Sequence, residues 1–187
     1  MGRITETLLD DLYDAGVTFE DGLSTDELRD VEARFGFTFC ADHRDLLTQV
    51  LPIGAGWPDW RFDEASDLGD QLARPIEGIV LDVLAGEFWR ASWGPDVGDE
   101  AIARRGLADV PVLVPVYAHR YLPAGPAPQG SPVLSVYGTD AITYGVDLAD
   151  YLTREFLGLA SPVGTVAASK RIPFWSDLVD GVDPAPT

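Results

Sequence analysis

Positively charged side chains are scarce in this chain of 187 residues, which has 13 lysines and arginines against 31 aspartates and glutamates. Lys170 is its only lysine. Phosphate backbones and anionic lipid headgroups are bound mainly through lysine and arginine, which replace their counterions. A formal net charge of -18 therefore argues against nucleic acid and against a membrane surface as partners.

Cysteine and histidine are also rare. Cys40 stands alone and cannot form an internal disulfide, which favours a reducing compartment. His43 and His119 are too few and too far apart to predict a zinc site, which needs three or four ligands at workable spacing. No serine stands in a G-x-S-x-G motif, so acyl transfer is not predicted. We therefore expect no enzyme activity and no cofactor.

Long apolar stretches are missing as well. No run approaches the roughly 20 residues of a membrane-spanning helix. The segment from Met1 to Asp11 lacks the basic and apolar regions of a signal peptide. We expect a cytoplasmic protein, and the absence of asparagine together with abundant Ala, Gly, Asp and Arg is typical of a GC-rich bacterium.

What the sequence does contain is helical periodicity over its first 110 residues. The clearest start signal is the capping box Ser24-x-x-Glu27, and Gly36 stands where the glycine after a helix belongs. The apolar spacing predicts further helices over 4–14, from 42 until Pro52, from Pro75 as a first helical residue, and over 100–108.

The pattern changes to strands at Val110. Branched and aromatic residues predict strands over 112–117, 120–122, 133–137 and 141–144, and Pro115 indicates an edge strand or a bulge. Short connections predict antiparallel pairing. A last helix is expected from Asp147 to Phe156, the segment Ile172–Trp175 is expected to dock back, and Asp183–Thr187 are expected to fray.

Helices followed by antiparallel strands and a final helix predict a single α+β domain. We place the domain at residues 1–157 and a partly docked C-terminal extension at 158–187.

Aromatic residues beside acids and arginines predict a binding surface, because loop tryptophans in such surroundings are typical of protein-binding hot spots. Ordinary explanations stand beside this one: tryptophans are mostly core residues, Asp59 and Arg61 suit a turn and a salt bridge, and His119 suits a structural hydrogen bond. The candidate residues are Trp57, Asp59, Trp60, Arg61, Asp63, His119, Arg120, Tyr121, Tyr137, Asp140 and Tyr144.

Several blocks of the sequence resemble the SUKH superfamily, which unites bacterial toxin-immunity proteins with yeast cell-wall-synthesis regulators of the Smi/Knr type. The helical blocks are Leu23-Ser24-x-x-Glu27, Phe35-Gly36-Phe37 and Asp42-His43-Arg44-x-Leu46-Leu47. The later blocks are Gly56-Trp57-Pro58-Asp59-Trp60-Arg61, Phe88-Trp89, Trp93-Gly94, Pro115-Val116-Tyr117-x-His119-Arg120-Tyr121-Leu122-Pro123, Pro132-Val133-x-Ser135-Val136-Tyr137 and Asp147-Leu148-x-x-Tyr151-Leu152. The resemblance spans Leu23 to Phe156 and implies a twisted, mainly antiparallel sheet packed with helices and a binding role.

Three functions remain open from the sequence. The first is an immunity protein that occludes a basic toxin, since acids would steer a cationic protein partner and aromatic anchors would hold it. The second is a regulatory scaffold for cell-wall or signalling proteins. The third is a carbohydrate or small-ligand binder or hydrolase that uses Asp59, Asp63 and the loop tryptophans. The acidic surface also has a general explanation, namely solubility or adaptation to a salty habitat.

Overall fold

The computed structural model describes residues 4–62, 65–158 and 164–183. The described residues form seven α-helices: α1 (Glu6–Asp14), α2 (Thr25–Phe35), α3 (Ala41–Gln49), α4 (Ala65–Leu84), α5 (Glu100–Leu107), α6 (Leu148–Leu157) and α7 (Trp175–Asp180). They also form six strands: β1 (Thr18–Asp21), β2 (Val50–Ile53), β3 (Leu113–Tyr117), β4 (Arg120–Pro123), β5 (Val133–Tyr137) and β6 (Asp140–Gly145).

The strands form two antiparallel sheets. β1 and β2 make a two-stranded ribbon, and β3 to β6 make a four-stranded meander in sequence order. Helices pack against the meander, which confirms the predicted α+β class with an antiparallel sheet. Pro115 lies on the edge strand β3, where a register shift follows it, so both consequences expected of that proline occur.

The caps read from the sequence are present in α2. The Ser24 hydroxyl accepts the backbone N–H of Glu27 at 3.3 Å, and the Glu27 carboxylate accepts the backbone N–H of Ser24 at 2.8 Å. Gly36 ends the helix in the left-handed conformation, with φ of 72°. These contacts satisfy backbone groups that a helix leaves unpaired at its two ends.

Two local predictions are wrong. Pro75 does not begin a helix but lies inside α4, which starts at Ala65. Apolar residues recur at helical spacing on both sides of the proline, at Leu68, Leu72 and Ile76, so burial of one continuous face offsets the lost hydrogen bond. Pro52 does not end a helix. The helix α3 ends at Gln49, and Pro52 lies in β2, where it pairs with Phe19 across the ribbon.

Buried side chains form three clusters around the meander. One lies between the sheet and α1, α3 and α6, one lies under α4 and α7, and one surrounds α2 and the start of α4. The segment after residue 158 supplies part of the second cluster: Trp175 is 0% exposed, and its indole N–H donates to the carbonyl of Pro111 at 2.8 Å. The docking predicted for Ile172–Trp175 is therefore confirmed. Of Asp183–Thr187, expected to fray, Asp183 is held in place because its carboxylate accepts the backbone N–H of Ala91 at 3.0 Å, and residues 184–187 lie outside the described residues.

Among the described helices, none combines the length and the apolar character that a membrane crossing requires.

Candidate functional site

Two of the predicted binding residues lie in the core. Trp60 is 4% exposed and meets Phe37, Phe39 and His43 at ring-centroid distances of 5.1–6.2 Å. Tyr121 is 0% exposed in the cluster under α4 and α7, and burial raises the pKa of its hydroxyl. A surface for a partner must therefore be built without these two rings.

Asp59 and Arg61 hold the loop after β2 in place. The Asp59 carboxylate accepts the backbone N–H groups of Arg61 at 3.2 Å and of Phe62 at 2.8 Å. The Arg61 guanidinium contacts Glu20 at 2.9 Å and Glu27 at 2.7 Å, which ties the loop to β1 and α2. The bond from Arg61, and then those from Ser24, lower the pKa of Glu27 to about 2. Asp63 lies outside the described residues.

Trp57 lies in a cluster of three half-buried rings. Its indole stacks on Phe156 with a centroid distance of 5.2 Å and an interplanar angle of 15°, and it meets Tyr117 at 5.0 Å in an edge-on arrangement. The turn after β3 and the loop of Trp57 are joined directly, because the backbone N–H of Ala118 donates to the carbonyl of Gly56 at 2.6 Å. The three rings therefore come from a loop, a strand end and α6.

Arg120 continues this cluster across the sheet. Its guanidinium carbon lies 4.1 Å from the ring centroid of Tyr144, and Nη1 donates to the Ser135 hydroxyl at 3.3 Å. Nη2 lies 3.9 Å from the Glu155 carboxylate, with the two side chains 12% and 21% exposed. The two groups lie next to each other, because Tyr117, Tyr144 and Phe156 all pack partly buried against the same core cluster. We call it the aromatic–arginine strip: Trp57, Tyr117, Phe156, Glu155, Arg120 and Tyr144.

His119 is exposed at the turn between β3 and β4, beside the strip. Partial burial, followed by the nearby charges of Arg120 and Arg74, lowers the pKa of its imidazole. The side chain is therefore predominantly neutral at pH 7. Its backbone carbonyl accepts the N–H of Val136 at 3.1 Å, so the residue also joins β4 to β5.

Tyr137 and Asp140 face each other across the turn between β5 and β6. Tyr137 is 81% exposed, and Asp140 is exposed too. The turn is anchored to α4, because the Asp82 carboxylate accepts the backbone N–H of Thr139 at 2.6 Å. Both residues lie at the far end of strands that carry Ser135 and Tyr144, beyond the strip itself.

The charges near the strip are mostly negative. Eight arginines of the described chain form ion pairs with carboxylates, among them Arg120 and Arg154. The helix α1, which packs against α6, carries four exposed acids that have no ion pair with any described residue: Glu6, Asp10, Asp11 and Asp14. Most of the positive charge is thus neutralised within the fold, while much of the negative charge faces solvent.

Sequence reasoning missed Tyr117, Glu155 and Phe156 as parts of the strip. Phe156 follows Leu152 by four residues on the helix predicted from Asp147 to Phe156, so helical spacing contained a signal for it. Tyr117 directly precedes the turn that carries His119. No sequence signal pointed to the pairing of Glu155 with Arg120.

No group of His, Cys, Asp and Glu side chains among the described residues is arranged to hold a metal ion. Comparison of the chain with protein-family models, with curated proteins and with solved structures gives no match. The resemblance to the SUKH superfamily therefore stays a prediction.

Proposed function

We propose that this protein is a non-enzymatic binding module that captures a basic protein partner at the aromatic–arginine strip. The observation that carries the proposal is the charge distribution: arginines are neutralised within the fold, while the acids of α1 beside the strip face solvent without ion pairs in the described chain. Such a field attracts a cationic protein over distances longer than a contact.

The half-buried rings supply the second requirement of a protein-binding surface. Trp57, Tyr117 and Phe156 are held in fixed orientations by contacts with one another, so little side-chain entropy is lost when a partner covers them. Aromatic residues and arginine are also the residue types that contribute most at protein interfaces. The strip combines rigid apolar anchors with an acidic border.

The resemblance to SUKH immunity proteins specifies the proposal further. In this form the partner is a basic toxin from the same bacterium, and the protein neutralises it by covering its working surface. The protein itself then needs no catalytic group. The carbohydrate alternative loses support because Trp60 is buried and because the Asp59 carboxylate already accepts two backbone N–H groups.

The test begins with the tagged chain as bait in lysate of its source organism, at low and at moderate salt, with bound proteins identified by mass spectrometry. We expect one basic polypeptide in stoichiometric amount, released as salt rises. Expression of that polypeptide in a bacterial host should stop growth, and co-expression of this chain should restore it. Recovery of no stoichiometric basic polypeptide contradicts the proposal.

A pair of charge-matched variants locates the surface. The first variant carries Asp10→Asn, Asp11→Asn and Asp14→Asn on α1. The second removes the same number of charges from exposed acids of α4 and the loops that follow α4 and α5, through Asp70→Asn, Glu87→Gln and Asp109→Asn. Capture should weaken about tenfold in the first and less than about twofold in the second. Equal weakening of both argues against a surface beside α1.

A further inference from the structure

A cavity of about 280 Å³ opens beside the aromatic–arginine strip. Its walls include the rings of Trp57, Tyr117 and Phe156, the backbone of Ala15 and Gly16, and Gly54 of the loop after β2. Pockets for cofactors and drug-sized ligands are mostly about 300–1,000 Å³. This cavity lies at the lower end of that range, a size that one side chain of a partner can fill.

Two helices end at this cavity. Ala15 directly follows the last residue of α1, and Phe156 lies in the last turn of α6. The carbonyl groups of a last helical turn have no partner within the helix, and they give that end a partial negative charge that favours a cation nearby. In α1 the carbonyls of Asp11, Leu12 and Tyr13 accept the N–H groups of the three residues that follow the helix, so the polarity at the cavity comes from the helix dipoles rather than from free carbonyls.

The charged side chains around the cavity agree with this polarity. No residue that the structure places in its lining carries a charge. Asp14, which is exposed, immediately precedes the lining residue Ala15. Glu155 directly precedes the lining residue Phe156, and its carboxylate lies 3.9 Å from Nη2 of Arg120. The charge of Arg120 is therefore neutralised by that carboxylate. A cation entering the cavity would meet no unpaired positive charge on the strip.

The aromatic walls add a preference for one kind of cation. The face of an aromatic ring is negative, and tryptophan attracts cations most strongly. A guanidinium is flat, weakly hydrated and stacks on ring faces, whereas an ammonium is strongly hydrated. Trp57 and Phe156 stack on each other and cover one face of each ring, so the remaining ring surfaces and the acidic end of α1 together match an arginine side chain better than a lysine.

We propose that this cavity binds the guanidinium of an arginine side chain presented by the partner. That the arginine belongs to a protein partner rests on the proposed function, but binding of a guanidinium in the cavity can be tested without a partner. Arginine then anchors the complex at the strip, and the surrounding acids of α1 steer it there.

The first experiment uses N-acetyl-arginine amide as the probe and the full chain labelled with ¹⁵N. The indole N–H signal of Trp57, assigned through its loss in the variant Trp57→Phe, is followed during titration at constant ionic strength. We expect a saturable shift with a dissociation constant on the order of millimolar. N-acetyl-citrulline amide, the neutral isostere, should bind at least about fivefold more weakly. Equal shifts with both probes overturn the proposal.

The second experiment compares Tyr117→Leu with Trp89→Leu. Trp89 is half-buried and lies outside the cavity lining, where its indole donates to the carbonyl of Gly94 at 2.9 Å. Tyr117→Leu should weaken binding of the arginine probe about fivefold, and Trp89→Leu should leave it unchanged. Thermal unfolding checks that both variants are folded, and the comparison of the two probes on the wild-type chain needs no variant. Unchanged probe affinity in folded Tyr117→Leu contradicts the proposal.

The two proposals fail separately. A basic partner that is captured by a chain whose cavity does not distinguish the arginine probe from the citrulline probe overturns the arginine pocket and leaves the proposed function standing. A saturable arginine response in a chain that captures no basic protein overturns the proposed function and leaves the pocket standing.

Discussion

His43 shows how burial fixes the chemistry of a single residue. Its ring packs edge-on against Phe39 at 5.1 Å and Trp60 at 6.0 Å, and its Nδ1 has no hydrogen-bond partner among the described residues. Burial lowers the pKa of the imidazole to about 3. His43 is therefore a neutral core residue.

This burial makes stability depend on pH. Below a pH of about 6.5 the unfolded chain binds a proton at His43 and the folded chain does not, so the free energy of unfolding falls as pH falls. Between pH 7 and pH 5 the loss from this group is about 2 kcal/mol. Urea unfolding at both pH values should show this loss in wild type.

The control is His43→Leu, which cannot titrate. Between pH 7 and pH 5 its free energy of unfolding should fall by about 2 kcal/mol less than that of wild type. This window lies above the range in which most carboxylates titrate. The same pH dependence in both proteins would contradict a neutral, buried His43.

Gly56 is the residue on which the position of Trp57 depends. Its φ is +90°, and a Cβ there would lie 2.7 Å from the ring of Tyr117. Gly54 has φ of +110° but nothing within 4 Å of such a Cβ. Gly54→Ala therefore meets backbone strain alone, and Gly56→Ala adds a clash.

We expect Gly54→Ala to lower the free energy of unfolding by about 1–2 kcal/mol and Gly56→Ala by roughly 1–3 kcal/mol more. The measurement is chemical unfolding of both variants. Gly56→Ala should also move the indole N–H signal of Trp57, and Gly54→Ala should move it less. Equal destabilisation would mean that the loop does not pack on Tyr117 as described.

At the scale of elements, α4 has two internal glycines in different surroundings. A Cβ on Gly78 would lie 2.9 Å from the backbone of Gly138 in the turn between β5 and β6, whereas a Cβ on Gly69 meets nothing within 4 Å. Asp82 anchors the same turn through Thr139. The helix and the turn therefore approach each other at Gly78, where only glycine fits.

Alanine should have opposite effects at the two positions. Gly69→Ala should raise the free energy of unfolding by about 0.5–1 kcal/mol, because alanine favours the helix. Gly78→Ala should lower it by about 1–3 kcal/mol, because the turn must move. Urea unfolding of the two variants measures both signs. A stabilising Gly78→Ala would show that the turn does not rest on α4.

The sequence predicted an element correctly where residues close in sequence decide its structure. The capping box and Gly36 delimited α2 closely, and β3 to β6 were predicted within a residue or two, since their pattern and short turns are local. The ribbon of β1 and β2 was missed. Its strands are 4 residues each and are separated by α2 and α3, so pairing at this distance leaves no periodic signal.

The candidate site was predictable only in part. Trp57, Arg120 and Tyr144 were identified from residue type, and the structure brings them together along α6. Trp60 has the same sequence surroundings as Trp57 but is buried, because Phe37 and Phe39 meet it from a distant segment. Which face of a loop turns inward depends on such long-range packing, which one sequence does not reveal.

At the scale of the whole molecule, net charge opposes folding. A formal charge of -18 is concentrated in a compact chain, and mutual repulsion of acids is relieved when salt screens it. The melting temperature should therefore rise by about 5 °C between about 0.02 M and about 0.5 M NaCl. The variant with Asp10→Asn, Asp11→Asn and Asp14→Asn should show a smaller rise. A melting temperature that falls with salt would mean that the ion pairs outweigh the repulsion.

The same negative charge governs how a basic partner is recognised. Acids around the aromatic–arginine strip raise the rate at which a basic partner arrives, and the rings hold it after arrival. Salt should then act on association more than on dissociation. Replacement of a ring should act on dissociation more than on association, because it removes contacts that exist only in the complex.

The most direct test is the association rate constant of the captured partner, measured by surface-based kinetics from about 0.05 M to about 0.5 M NaCl. We expect the association rate constant of wild type to fall at least about tenfold, with a much smaller change in the dissociation rate constant. We also expect a shallower salt dependence when the three aspartates of α1 are replaced. An association rate that does not change with salt would contradict the claim that the acidic surface captures a basic protein.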